Sequence, residues 1–222
     1  MQWHDFMEYF PQLIHGLWIT LALVALALMI GAGLALLMTI IRLSKRTYLD
    51  LPVRIFIFFI RGTPLLVQIF LVYFGVSQFD ALRDTWAWEL LKQPFICAVI
   101  ALGLNSSAYT TELFLGAVRS IPKGELEAAN AFAMSWRLQL RRIIAPRAWR
   151  LVLPAYSNEV VLLIKSSSLA STITLLDLMG ATQQVINETY ATVPWLCVAG
   201  VIYLIVNSML MTTFKYAEYK VK

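Results

Sequence analysis

Hydrophobic positions fall into long runs separated by short polar stretches, and the runs have the length of membrane spans. Gly16–Ile41 holds 26 residues without a charge, and Pro194–Phe214 holds 21. A helix needs about 20 apolar residues to cross a bilayer core. Three further runs, roughly 55–76, 95–118 and 151–176, are as long but carry polar residues inside them. The pattern predicts an all-α integral membrane protein with five transmembrane helices. Ahead of the first run, Met1–His15 reads as a short amphipathic segment with no Lys or Arg. A signal peptide would begin basic and end at a small-residue cleavage site, and neither is present.

The interruptions locate the chemistry. In the second run Arg61-Gly62-Thr63-Pro64 predicts a kink or broken turn, because Pro64 removes a helix hydrogen bond. Arg61 either lies near a boundary and neutralises the carbonyls that Pro64 frees, or meets a substrate. The third run carries Asn105, Tyr109, Glu112 and Gly116 on one helical face. That stripe is either part of a translocation path or hydrogen-bonding glue between helices. The fourth run is the most polar, with Asn158, Glu159, Lys165, Ser166, Ser167, Ser168 and Ser171. An early break is expected at Pro154, and the small residues Ser167 and Ser171 are expected to pack against a second subunit. Ionisable groups inside a membrane are functional candidates by default. Glu159 would suit a cationic side chain, since a guanidinium can make two parallel hydrogen bonds to a carboxylate. The alternative pairs it with an Arg or Lys of a partner subunit.

Charge sets the orientation. Charged residues make up 14% of the 222 and hydrophobic ones 59%, against about 25% charged in soluble domains. Between Arg119 and Arg150 stand seven basic and two acidic residues, a surplus of five that equals the net charge of the whole chain. Such clustering marks a cytoplasmic loop rather than a nucleic-acid face. Arg42, Lys45, Arg46 and Arg54 mark a second cytoplasmic boundary, and Lys215, Lys220 and Lys222 a third. The segments 77–94 and 177–193 lack a basic surplus and read as external connections, with Trp86 and Trp88 as interfacial anchors. The N-terminus is therefore expected outside and the C-terminus in the cytoplasm. Cys97 and Cys197 read as buried thiols without metal-ligand spacing. His4 and His15 likewise lack a partner pattern such as HExxH, which weighs against a membrane metalloenzyme.

The basic loop holds the most specific pattern. In GELEAANAFAMSWRLQLRRIIAP, residues 124–146, acidic residues come first, small ones follow and basic ones end the stretch. Gly124 is expected to cap a short helix with Glu125 and Glu127 in its first turn, where carboxylates favour the macrodipole. Glu127-Ala128-Ala129, Ala133 and Ile143-Ile144-Ala145-Pro146 resemble the EAA loop of ABC importer permeases, E-A-A-x3-G-x9-I-x-L-P. Ala133 stands where that family usually has Gly, and Ala145 where it has Leu. Residues 61–68, RGTPLLVQ, also match the family. So does SAYTTELFLGAV, residues 107–118, and the region 158–178 around LLKxTSL, where Ser167 replaces the usual Thr and Ser166 the usual acidic residue.

The resemblance covers essentially the whole chain and points to permeases for polar amino acids of the histidine, glutamine and arginine type. It implies a type I ABC importer permease fold in the bacterial inner membrane. Glu127, Ala128, Ala129 and Ala133 would contact an ATP-binding subunit dimer. A second permease subunit, identical or paralogous, would complete the path, and a periplasmic or extracellular binding protein would deliver substrate. Glu159, Asn158, Ser166, Asn105, Tyr109 and Glu112 are the candidates for that path. No Walker A pattern occurs, so ATP would be hydrolysed on the partner, and the chain itself needs no cofactor and performs no covalent chemistry. A stand-alone secondary transporter or channel is the rival. It has no need of an EAA loop, and five spans offer no obvious inverted repeat.

Overall fold

In the computed structural model, residues 3–44 and 46–221 are described, without the side chains of residues 3–5 and 221. The boundary charges Lys45 and Lys222 and the side chain of His4 lie outside the described residues. The described chain is all helical. Helix α1 (Trp3–Leu43) is followed by α2 (Thr47–Gly62) and α3 (Leu65–Phe70), which widens into a π turn at Leu71–Gly75. Two short helices, α4 (Asp80–Arg83) and α5 (Trp86–Leu91), lead to α6 (Pro94–Arg119). Then come α7 (Lys123–Ala131), α8 (Trp136–Gln139) with a π turn at Leu140–Ile144, and α9 (Ala145–Ser167). A 3-10 stretch, Ser168–Ile173, precedes α10 (Leu178–Thr189) and α11 (Thr192–Val221).

Three of these helices are long and apolar enough to cross a membrane by themselves: Phe6–Leu43, Pro94–Arg119 and Thr192–Lys220. Two further candidates are bent pairs. Thr47–Gly62 meets Leu65–Gly75 at 109°, and Trp136–Ile173 meets Leu178–Thr189 at 51°. The first bend lies at the predicted break: α2 stops at Gly62, and Thr63 and Pro64 are extended. Pro64 forces this, because a proline biases the residue before it out of the helical region.

Helix α6 is the centre of the bundle. Small residues let α1 approach it closely: Ala27, Gly31 and Ala35 are buried at four-residue spacing. A Cβ on Gly31 would stand 3.1 Å from the Ser106 side chain, and one on Gly103 would stand 3.3 Å from Ile30. Small residues at such crossings replace the hydrophobic drive that lipid cannot supply. Gly33, by contrast, meets nothing within 4 Å. Leu23, Ala27, Leu102, Leu163 and Ile164 form the main apolar core, with Ile69 and Ile173 at the two bends.

Several expectations change. The amphipathic start is no separate segment, since α1 runs unbroken through Pro11. Its first turns bury Leu13, and Tyr9 meets Trp195 edge-on at 5.7 Å. Packing of this kind outweighs a lost backbone hydrogen bond. Likewise α9 passes through Pro154, held by buried Val152, Leu153 and Val160 on one side while Pro154 faces out. The fourth segment breaks later, across Ser168–Asp177, with Thr174 left-handed at φ 66°. The segment expected as an external connection turns out to contain a packed helix, α10, whose Leu178, Ala181 and Val185 pack with Leu13 and Trp195. Ser167 is fully buried within the chain and donates to Ile164 O, so it does not await a second subunit. Cys97 is buried, but Cys197 is exposed on α11.

Candidate functional site

The EAA stretch forms a self-contained outcrop. Helix α7 starts two residues earlier than expected, with Pro122 rather than Gly124 at the N-cap, and the Pro122 carbonyl accepts from Glu125 N–H at 3.1 Å. Glu125 therefore occupies the first turn and Glu127 lies beyond it. Glu125 also pairs with Arg147 at 2.8 Å, tying the start of the loop to α9. Ala129 is buried, whereas Glu127 and Ala128 are exposed. At the other end Met134 N–H reaches Ala129 O at 3.0 Å and Ala133 N–H reaches Asn130 O at 2.8 Å. This is a Schellman stop, whose left-handed position usually holds glycine. Ala133 fills it at φ 51°.

Gln139 was invisible to motif reading. Its buried amide donates to Asn130 Oδ1 and to Met134 O, each at 2.8 Å, so it closes the loop from within. A buried Gln beside a left-handed stop is not encoded by any spacing. Beyond it, Phe132 is 83% exposed and Trp136 59%, beside Glu127 and Ala128. The outcrop thus offers small residues, two open aromatic rings and, at Glu127, a carboxylate with no ion-pair partner among the described residues. Such a surface can seat in a complementary groove.

The path candidates fall into three places. Asn105 and Tyr109 lie at the first bend. Gln68 sits there with only 7% exposure and donates to Ile60 O at 2.7 Å and to Thr63 O at 3.1 Å, while Asn105 donates to its Oε1 at 2.9 Å. So Gln68, not Arg61, satisfies the carbonyls that the break frees. An uncharged amide does this without burying an ion, and its own oxygen is answered by α6. Arg61 instead stacks over the Tyr109 ring at 5.1 Å, a cation–π contact on an open face. Glu112 lies elsewhere, at the end of α6. It pairs with Arg42 of α1, which also pairs with Asp50 at 3.0 Å, and Asp50 binds Arg54 in turn. The α6 stripe is therefore partnered within the chain by three different helices.

Asn158 and Ser166 lie on α9. Asn158 is exposed along with Leu162 and Lys165, and Ser166 is half-buried. Glu159 points the other way, 9% exposed and facing Ser106 of α6. No described Lys or Arg forms an ion pair with it. Among the described residues no group of three or more His, Cys, Asp or Glu is placed to hold a metal.

Relatives agree with this architecture. The family described as "Binding-protein-dependent transport system inner membrane component" matches residues 27–218. The arginine ABC transporter permease ArtM of Escherichia coli K12 is 46% identical over 214 residues, covering 96% of each chain. The octopine transport permease OccM of Rhizobium meliloti is 45% identical over 212 residues, 96% of this chain and 86% of that one. A crystal structure of an amino acid ABC transporter with histidines superposes with a TM-score of 0.88 at 29% identity, over 99% of both chains. With its fold, its length and these relatives in accord, the chain belongs to the inner membrane components of binding-protein-dependent transport systems, as an amino-acid ABC permease subunit.

Proposed function

We propose that this subunit passes a cationic amino acid, arginine or a derivative that keeps its guanidinium, through an ATP-driven importer. The observation that carries the cargo assignment is similarity along nearly the whole chain to permeases named for arginine and for octopine, itself an arginine derivative. In this reading the chain crosses the inner membrane five times, from an N-terminus outside to a C-terminus in the cytoplasm. The two bent pairs are the second and fourth crossings. Two permease subunits enclose the path, and an external binding protein loads it. Glu127, Ala128, Ala129 and the turn at Ala133 transmit movement from an ATP-binding dimer, with Phe132 and Trp136 enlarging the contact. Glu159 supplies a carboxylate to the passing cation, and Asn158, Ser166, Asn105 and Tyr109 give polar footing along the way. Glu112 acts differently from the other candidates, as a strut between α6 and α1.

The test is ATP-dependent uptake of labelled arginine, glutamine and glutamate in vesicles that hold the complete complex. Arginine should be taken up in preference to the other two. Glu127→Lys should lower arginine uptake at least roughly tenfold and abolish stimulation of the ATPase by the binding protein, since a reversed charge in the contact costs about 2 kcal/mol or more. Glu159→Gln should reduce arginine uptake while the complex still assembles. Uptake driven by an ion gradient without ATP, or unchanged in both variants, would sink the assignment and restore a stand-alone transporter.

A further inference from the structure

We propose that the cavity beside the second bend is a docking subsite for the guanidinium of the cargo, separate from the candidates on α6 and α9; this rests on the cationic-cargo reading above. The cavity measures about 240 Å³ and opens to the outside of the chain. Its polar lining is Ser171 and Thr174 from the break, and Gln183, Gln184 and Asn187 from α10.

The pattern on α10 separates two faces. Leu178, Ala181, Thr182 and Val185 are buried against α1 and α11, whereas Gln183, Gln184 and Asn187 are exposed and share the opposite face with Gly180. Among the described residues the three amides have no hydrogen-bond partner in the chain, as do few polar groups in a membrane protein. Amides facing lipid unpaired cost several kcal/mol each, so this face meets water or a solute.

The charge nearby selects the solute. From Ser166 to Val193 the only charged residues are Asp177 and Glu188. Asp177 is fully buried at the N-cap of α10, three residues before Gly180 of the cavity lining. One of its carboxylate oxygens accepts from Gly180 N–H at 2.9 Å, and the other has no partner among the described residues. Three amide oxygens and two hydroxyls can accept the five fanned N–H groups of a guanidinium. A carboxylate would find the same donors but a repulsive potential. Gly180 makes the fit possible: a Cβ there would stand 2.2 Å from Leu175 O, so only glycine lets the break lie flat against the helix and leaves the cavity floor open.

Two changes of opposite sign at one exposed position test the subsite. The complete complex carrying Gln184→Glu or Gln184→Lys is reconstituted, and the apparent KM for arginine uptake is measured beside assembly. Gln184→Glu should lower the KM, and Gln184→Lys should raise it, each by roughly fivefold, the size expected for one partly solvated charge pair. Assembly should stay unchanged, so that a change in KM reports the cargo and not a lost complex. A KM that stays constant, or that moves in the same direction in both variants, overturns the subsite while wild-type arginine uptake leaves the proposed function standing. Absence of arginine uptake by the wild-type complex removes both.

Discussion

At Ala133 the chain accepts a cost that the Gly common in related loops avoids. Its φ of 51° closes the α7 stop, and an L-residue there gives up about 1 kcal/mol relative to glycine. Ala133→Gly should therefore slow proteolytic nicking of the loop by roughly fivefold, because opening that segment becomes about 1 kcal/mol harder. An unchanged or faster rate would show that the turn relaxes without strain. Gly180 is the reverse case. Gly180→Ala places a methyl against the Leu175 carbonyl, a 2.2 Å approach that only backbone displacement relieves. Purified protein carrying it should melt several degrees lower. Gly124→Ala, where a Cβ meets nothing within 4 Å, should leave melting unchanged or raise it through helix propensity worth up to about 1 kcal/mol.

Between elements, buried polar side chains decide what the breaks look like. Gln68→Leu would strip the Ile60 and Thr63 carbonyls of their donor and leave the Asn105 amide unmatched. Each unsatisfied buried group costs about 1–3 kcal/mol, so the variant should lose more stability than any single apolar truncation on α3. Equal losses would mean that water enters the bend. This bend was legible in the sequence because Pro64 is a backbone constraint, independent of any neighbour. The second was not. Between Ser168 and Asp177 there is neither Pro nor Gly, and Pro154, the one overt breaker, is outvoted by the packing of Val152, Leu153 and Val160. Helix α10 escaped for a related reason: three of its four exposed residues are amides, which in one dimension reads as loop. Only the burial of Leu178, Ala181 and Val185 on α1 and α11 identifies it as a packed helix. The acidic and small residues of the EAA stretch were legible as motif. Gln139, which braces that stretch, was not, since its role depends on the turn folding first.

For the whole molecule, loop charge and bundle geometry bear jointly on orientation. Basic residues gather at the end of α1, around α7–α9 and at the end of α11, while α4, α5 and α10 hold a mixed or acidic set. Orientation follows the Lys and Arg bias near span ends, and the proposed reading therefore puts the first set of ends in the cytoplasm. The proposed five-crossing reading requires each bent pair to act as one crossing, for otherwise α6 and α11 would end on the wrong sides for that reading. Cysteine labelling in intact cells separates these arrangements, in a background where Cys97 and the exposed Cys197 are replaced by Ser. A membrane-impermeant thiol reagent should label a cysteine at Trp86, which is 81% exposed on α5, and spare one at Phe132, which is 83% exposed beyond α7. With the permease expressed without the ATP-binding subunit that would cover Phe132, similar exposure of the two side chains means that a difference in labelling reports the side of the membrane and not access. Permeabilised cells of that kind should label both. Labelling at Phe132 from outside would invert the chain and remove any contact between its EAA loop and a cytoplasmic ATPase. Because α6 alone separates the two positions, labelling of neither in intact cells would mean that α6 does not cross the membrane.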